Sequence, residues 1–253
     1  MKISVLAVAS IFSASLMGCG GGGSGSASAP QQQVTTIPDG LYAGTTNGGR
    51  TITGLILDDG TYYVLYSVAN NPSLIAGVVQ GTGAALNGSF SSSNGKDINL
   101  EGLGVLSVNV SASYVLSTSF NGSVPYPSLN QTTTFTSTYD KKYELVPSLA
   151  TIAGTYSGAA GSPTGSESTT LTVSASGAVT GRGSSGCIFS GTVTPRSKGN
   201  VYNATITFGG APCLFANTAV TGGAYFDAPT KRLYAVGMKA ARDTGFIFSG
   251  SKP

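Results

Sequence analysis

Apolar and polar side chains alternate over long stretches of this chain, and the alternation restricts its fold more than any other feature. From Leu106 to Phe120 the even positions are mostly apolar or aromatic, whereas the odd positions are mostly serine and asparagine. Side chains of a β-strand point to opposite faces with a period of two, so this pattern predicts one buried and one solvated face. The stretch exceeds the usual strand length, so we expect a bend, a bulge or two strands within it.

Other segments of the chain repeat the pattern. Positions 132–139 and 201–208 also alternate, and no apolar stripe of useful length has helical spacing. Dipeptides that favour tight hairpins lie between the alternating runs: Asp39-Gly40, Asp59-Gly60, Asn87-Gly88, Asn94-Gly95, Asn121-Gly122 and Ser176-Gly177. Short strands joined by such turns predict an all-β, antiparallel fold, either a sandwich or a barrel.

A faint internal repeat divides the folded part into two modules. The segment Gly40-Leu41-Tyr42-Ala43-Gly44 is echoed by Gly154-Thr155-Tyr156-Ser157-Gly158. Gly-x-Tyr-x-Gly is typical of the opening strand of a small meander barrel, where glycines relieve crowding and the aromatic ring plugs one end. We therefore expect two tandem β-barrel or β-sandwich modules, at 39–147 and 148–253.

The amino terminus has the pattern of an export signal. Met1-Lys2 precedes an apolar stretch, from Ile3 to Leu16, that is too short to span a bilayer with ordinary flanks. It ends in Leu16-Met17-Gly18-Cys19, which resembles the lipobox of bacterial lipoproteins. The resemblance implies that residues 1–18 are a signal peptide removed before Cys19, and that Cys19 carries diacylglycerol and a further acyl chain such as palmitate. The alternative is an ordinary signal peptide that contains a cysteine.

The segment after Cys19 predicts a flexible connection to a membrane. Residues 20–33 contain only glycine, serine, alanine, proline and glutamine, so they lack the apolar surface that would order them. We therefore expect residues 19–38 to be a lipidated, disordered tether. Two or three acyl chains anchor a protein stably, whereas one binds reversibly. Gly20 directly after Cys19, by resemblance to Gram-negative lipoproteins, implies the outer membrane.

Composition excludes several classes of chemistry. The chain has no histidine, which rules out Ser-His-Asp and Cys-His catalysis and any metal site that needs a histidine ligand. The net charge is +3 without a dense basic stripe, so we expect no nucleic-acid binding. We also expect no metal and no cofactor. Cys187 and Cys213 form an even pair in an exported chain and predict a disulfide bond that staples a loop onto the sheet.

Three carboxylates suggest enzymatic alternatives. Asp97 and Glu101 are four residues apart on a predicted strand and could form the carboxylate pair of a hydrolase. Asp243 begins an Asp-Thr-Gly triplet, but no second Asp-Thr/Ser-Gly exists in the chain to complete an aspartic-protease site. A turn between the last two strands explains this triplet more simply. We therefore expect a protein that is not an enzyme.

Three tyrosines remain as candidate binding residues. Tyr62, Tyr63 and Tyr66 lie with Val64 and Leu65 on a strand whose two faces are both apolar. One interpretation places one face in the core of the first module and the other against the second module. The other interpretation is a partner-binding patch, because tyrosine is enriched at binding hot spots.

These features together predict a lipid-anchored outer-membrane protein that acts by binding, adhesion or structural presence. The predicted architecture resembles that of surface lipoproteins of the transferrin-binding-protein type. The shared features are a lipidated cysteine, a glycine-rich tether and tandem barrels. That resemblance implies a surface or periplasmic location and a protein or host ligand, but no barrel motif matches residue by residue, so no ligand carries over. A periplasmic inhibitor of a host hydrolase and a carboxylate hydrolase are the alternatives.

Overall fold

A computed structural model of the protein describes residues 33–253, and nearly all regular structure in this range is β-strand. Helical segments in this range are one turn of α-helix, α1 (Leu149–Ile152), and two 3₁₀ turns, Pro127–Leu129 and Lys141–Glu144. The strands form two closed, eight-stranded antiparallel barrels in tandem. The predicted all-β fold with two modules is therefore confirmed, and both modules are barrels.

The first barrel is built from the amino-terminal strands. They are β1 (Gly40–Thr46), β2 (Thr51–Ile56), β3 (Thr61–Val68), β4 (Asn71–Thr82), β5 (Ala84–Leu86), β6 (Ser89–Asn99), β7 (Gly104–Val115), β8 (Ser119–Tyr126) and β9 (Gln131–Asp140). Neighbours pair in the order β4-β3-β2-β1-β9-β8-β7-β6, and pairing of β4 with β6 closes the cylinder. The short β5 pairs with the beginning of β6.

The second barrel is a simple meander. Its strands are β10 (Gly154–Ser162), β11 (Gly165–Val173), β12 (Ala178–Gly183), β13 (Ile188–Pro195), β14 (Tyr202–Phe208), β15 (Ala219–Asp227), β16 (Arg232–Met238) and β17 (Gly245–Ser251). Each strand pairs with the next one along the chain, and β10 pairs with β17 to close the barrel. Sequential antiparallel pairing of this kind leaves no long strand edge exposed.

The two copies of the sequence repeat occupy equivalent places in the two barrels. Tyr42 in β1 and Tyr156 in β10 are fully buried. Each hydroxyl donates a hydrogen bond to the carbonyl oxygen four residues earlier, at 3.0 Å in the first barrel and 2.6 Å in the second. Gly44 and Gly158 lie so close to the last strand of their own barrel that a Cβ atom would overlap its backbone. The repeated glycine therefore permits barrel closure, and the repeated tyrosine fills one end.

The alternating segments form strands with the predicted faces. The long stretch that ends at Phe120 divides into β7 and β8, which meet at a turn that contains Ser117 in the left-handed conformation. Val108, Val110 and Ala112 are buried in the first core, while the residues between them are exposed. Residues 132–139 and 201–208 alternate in burial in the same way within β9 and β14.

Half of the six predicted hairpin dipeptides form turns with a positive-φ glycine: Asp59-Gly60, Asn87-Gly88 and Ser176-Gly177. The other three predictions are wrong. Asp39-Gly40 leads into β1, Asn94-Gly95 lies at a bulge within β6, and Asn121-Gly122 lies inside β8. At Gly122, β7 approaches so closely that a Cβ atom would overlap Ala112 and its backbone neighbour. Glycine at such a position serves the close approach of two strands and not a change in chain direction.

The outer faces of the two barrels pack against each other. Val78 and Ile98 of the first barrel form an apolar cluster with Val236, Met238 and Ile247 of the second. A second cluster joins Leu41, Leu55 and Leu57 with Tyr143, Val201 and Tyr225. Since the strand residues of both clusters point outward from their own barrels, burial of the interface requires both barrels to be present.

The leader and most of the tether lie outside the described residues, and so does Cys19. Between residues 33 and 253, the structure contains no helix with the length and apolar character that a membrane crossing needs.

Candidate functional site

Each barrel is filled at one end and hollow toward the other. The filled ends contain Tyr42 and Tyr156, the two buried tyrosines of the repeat. The hollow parts open between the turns at the opposite ends, where Arg50 and Leu103 line the first cavity and Thr164 and Leu214 line the second. We call these openings the first and second mouths.

The two mouths lie on the same side of the molecule. At the filled ends, Arg196 of the second barrel pairs with Asp58 of the first at 2.6 Å. At the open ends, Leu100 beside the first mouth packs against Gly161 beside the second. The barrels therefore stand side by side with their open ends in the same direction.

The chain enters this body at the filled end. The amide of Val34 donates a hydrogen bond to Asn87 Oδ1 at 2.9 Å, and the Tyr114 hydroxyl donates one to the Thr36 carbonyl oxygen at 2.7 Å. Asn87 belongs to a turn at the filled end of the first barrel. Val34 and Thr36 lie within the predicted flexible tether, residues 19–38, but they are bound to the first barrel, so the tether prediction is too long at its carboxyl end. The point where the chain joins the body is opposite the two mouths.

The second cavity has a volume of about 290 Å³ and an apolar wall. Five phenylalanines from β13, β14, the loop after β14, and β17 surround it, and Phe208 packs against both Phe189 and Phe246. Further apolar lining residues are Leu171, Val173, Val179, Val193, Ile206, Phe215, Leu233 and Phe248. Polar side chains, including Ser162, Thr164 and Glu167, lie toward the mouth.

A disulfide bond shapes the second mouth. Cys187 and Cys213 are bonded with their Cα atoms 4.4 Å apart, which joins the loop after β14 to the start of β13. The loop brings Leu214 to the edge of the cavity, where its side chain is 62% exposed. The disulfide thus holds an apolar loop at the entrance, in agreement with the predicted staple.

The first cavity is smaller, about 170 Å³, and its two halves differ in polarity. Its deep half is lined by aromatic and aliphatic side chains such as Phe90, Phe120 and Phe135. Its outer half is lined by Arg50, Tyr66, Asp97, Asn99, Glu101 and Tyr126. The strands β3, β6 and β8 supply the tyrosines and the aspartate, so closure of the barrel brings them together.

Asp97 is the centre of a buried hydrogen-bond network. Its side chain is 1% exposed, and its two oxygens accept hydrogen bonds from Tyr66 at 2.7 Å and from Tyr126 at 3.1 Å. Asn99 donates to the Tyr66 hydroxyl at 3.1 Å. Burial raises the pKa of Asp97 to about 6, although both hydroxyls act against this shift. Burial and the nearby Asp97 charge raise the pKa of both tyrosines, which therefore remain protonated donors.

Arg50 and Glu101 form an ion pair across the first mouth. Arg50 Nη2 lies 2.7 Å from Glu101 Oε2, and Arg50 Nη1 donates to the Ser67 carbonyl oxygen at 2.8 Å. Asp97 and Glu101 both line the cavity, as their spacing suggested, but Glu101 lies beyond the end of β6 and is neutralised by Arg50. The two carboxylates therefore have different surroundings and different partners.

The three candidate tyrosines do not form an exposed patch. Tyr62 and Tyr66 belong to the core of the first barrel, and their hydroxyls donate to Ser92 and Asp97. Tyr63 points outward, but the second barrel covers it, with Gly223 in close contact. The expectation of a partner-binding surface at these residues does not hold, because alternate faces of β3 meet the barrel core and the neighbouring barrel.

Asp243 lies in the turn between β16 and β17, and its carboxylate is 3.7 Å from Lys239. Within residues 33–253, no three metal-ligating side chains come together. Sequence reasoning missed Arg50, Asn99 and Tyr126, which come from three separate strands or turns. A polar residue at an inward position of an alternating strand, as at Asp97, was the available signal.

No known family model matches the chain, and no curated protein is similar to it in sequence. Similar solved structures include a candidate outer membrane protein from Bacteroides fragilis, with 14% identity and a TM-score of 0.26 over 87% of this chain and 97% of that one. They also include transferrin binding protein B from Haemophilus parasuis, with 9% identity and a TM-score of 0.28 over 83% of this chain and 66% of that one.

Transferrin binding protein B from Neisseria meningitidis is a further similar structure, with 9% identity and a TM-score of 0.30 over 88% of this chain and 76% of that one. Identities and TM-scores this low carry neither a ligand nor a function to this chain.

Proposed function

We propose that this protein is a lipid-anchored component of the bacterial outer membrane that binds a small apolar molecule inside its second barrel, without catalysis. The observation that carries the proposal is the hollow, phenylalanine-lined interior of that barrel. Preformed apolar cavities with a few polar groups at the entrance are typical of small-molecule sites.

The size and polarity of the second cavity support this ligand class. An engineered cavity of about 150 Å³ lined by leucine, isoleucine and phenylalanine stays dry and binds benzene. The second cavity, at about 290 Å³, is larger and has similar walls. An apolar ligand would contribute about 25 cal/mol for each Å² of apolar surface that it removes from water. The polar side chains at the mouth can form a hydrogen bond with a polar group at the outer end of the ligand.

The anchor is the second part of the proposal. The lipobox predicts acylation of Cys19, and the tether predicted for residues 19–38 joins the body at the filled end. The two mouths would then face away from the point of attachment, toward molecules that arrive from the surrounding medium.

Fluorescence titration with N-phenyl-1-naphthylamine tests the binding site. The mature protein should bind this apolar dye saturably, and Ala204→Leu, which fills the second cavity, should weaken binding by at least tenfold. Val110→Leu, which adds bulk to the first cavity instead, is the control and should leave dye affinity within twofold. The proposal fails if the wild type does not bind the dye, or if both variants bind as the wild type does while retaining its unfolding midpoint.

Metabolic labelling with an alkyne fatty acid, followed by membrane fractionation, tests the anchor. The wild type should be labelled and found with outer membranes, whereas Cys19→Ala should be unlabelled. An unlabelled wild-type protein would contradict anchoring and leave dye binding as a separate question. If Glu101→Gln or Asp243→Asn abolishes a hydrolysis measured with the wild type, the non-catalytic part of the proposal is wrong.

A further inference from the structure

We propose that the first barrel holds a second, chemically different site, which binds a small organic cation: an ammonium or amidinium group on an apolar body about the size of benzene. This inference goes beyond the proposed function, because it concerns another cavity and another class of ligand. Its basis is a buried carboxylate at the polar end of an aromatic-walled cavity.

The carboxylate of Asp97 has unused acceptor capacity. An ionised carboxylate offers about four lone-pair positions. In this structure it accepts one hydrogen bond from Tyr66 and one from Tyr126. About two positions therefore remain for N–H donors of a ligand, and the two tyrosines hold the carboxylate in place.

The charge balance of the cavity favours a cation. Among the described residues that line it, the charged ones are Arg50, Asp97 and Glu101, which sum to one negative charge. Arg50 is engaged with Glu101 and with the Ser67 carbonyl oxygen, so its donors are not directed to Asp97. A buried carboxylate that no cation contacts directly is costly to ionise, and burial raises the pKa of Asp97 although the Arg50 charge acts against this shift. A bound cation would offset that cost.

The aromatic walls favour the same ligand. The guanidinium carbon of Arg50 lies 5.4 Å from the ring centroid of Tyr66, which shows that a ring at this mouth already faces a cation. Cation–π attraction strengthens when the site is desolvated. The deep half, with Phe120 and Phe135, would accept the apolar body of the ligand. A volume of about 170 Å³ is close to that of the engineered cavity, about 150 Å³, that binds benzene.

Titration calorimetry with three ligands of one size tests this site: benzylamine, toluene and benzoate. At pH 7.5, benzylamine should bind the wild-type protein at least tenfold more tightly than benzoate. Asp97→Asn should lower the affinity for benzylamine at least tenfold and change the affinity for toluene less than twofold. Glu167→Gln, at the second mouth, is the matched control and should not change benzylamine affinity.

A pH series keeps the test decisive if Asp97→Asn fails to fold. Asp97 faces Tyr66, Tyr126, Arg50 and Glu101, of which Glu101 is the other acid. Benzylamine affinity of the wild type and of Glu101→Gln should rise between pH 5 and pH 7 as Asp97 ionises. The proposal is overturned if benzoate binds as tightly as benzylamine, if Asp97→Asn leaves benzylamine affinity unchanged, or if the affinity does not vary with pH.

Discussion

At the open end of the first barrel, the turn between β6 and β7 places Glu101 beside Arg50. The equivalent connection of the second barrel, between β14 and β15, is longer and carries Cys213 and Leu214. One mouth is therefore bordered by an ion pair above a buried carboxylate, and the other by a covalent staple above phenylalanines. The filled ends are nearly identical in their tyrosine and glycine geometry.

This difference shows which parts of a duplicated barrel can diverge. The filled end is constrained by closure, since the glycine must admit the last strand and the tyrosine must satisfy a buried carbonyl group. Barrel closure does not constrain the residues around a mouth in this way, because turns at the surface tolerate changes in length and composition. Ligand chemistry can thus differ between two barrels of the same design.

The largest expected effect is loss of the staple in the second barrel. Replacing both Cys187 and Cys213 with alanine should lower the free energy of unfolding by about 3–4 kcal/mol, because the bond closes a loop of 26 positions in the unfolded chain. Urea denaturation of the wild type and the double variant measures this. Reduction of the wild type should have a similar effect, and an unchanged midpoint in both cases would show that the mouth is held by other contacts.

The buried carboxylate should make the first barrel respond to pH. Burial raises the pKa of Asp97 from 3.8 to about 6, so the folded state takes up a proton before the unfolded state does as the pH falls. Stability should therefore rise as the pH falls from 7 toward 4, by up to about 3 kcal/mol from this group.

Comparison of the wild type with Asp97→Asn by denaturation at several pH values isolates that contribution, since other carboxylates are common to both proteins. The difference in unfolding free energy between the two should shift in favour of the wild type at lower pH. A difference that stays constant with pH would mean that Asp97 titrates as an ordinary carboxyl group.

Removing one hydroxyl from each filled end should sharpen the equivalence of the two barrels. Tyr42→Phe leaves the Pro38 carbonyl oxygen without its donor, and Tyr156→Phe does the same at Ile152. Each substitution should lower the free energy of unfolding by about 1–3 kcal/mol, which is the range for a buried group that loses its hydrogen bond. Thermal unfolding measures both, and a loss confined to one variant would show that the geometric repeat is not an energetic one.

The smallest expected effect concerns the contact between the barrels. Arg196 pairs with Asp58 and with Asp59, and both carboxylates are partly exposed. Arg196→Ala should lower stability by no more than about 1 kcal/mol, and the loss should shrink at high salt. Arg182→Ala, on β12, is the control. A larger, salt-independent loss would indicate that the arginine stem packs in the interface and contributes beyond its charge.

Much of the fold was predictable because it depends on local patterns. Alternation correctly indicated the strands up to Phe120, and the paired Gly-x-Tyr-x-Gly segments indicated two modules that open with equivalent strands. The turn predictions failed at Asn94-Gly95 and Asn121-Gly122, because a glycine can serve close strand packing as well as a turn. Tyr63 was ambiguous from sequence, since an outward apolar residue looks the same whether a partner protein or a second barrel covers it.

The amino-acid sequence by itself determined that the folded part is all-β, that it contains two similar modules, and that Cys187 and Cys213 pair. These properties follow from side-chain periodicity and composition, which act within or between neighbouring segments. Only the tertiary structure decided that the barrels are hollow, that both mouths face one side, and that Arg50 and Tyr126 meet Asp97. Closure of a barrel brings together residues from distant strands, and the space left inside depends on how all the inward side chains fill it at once.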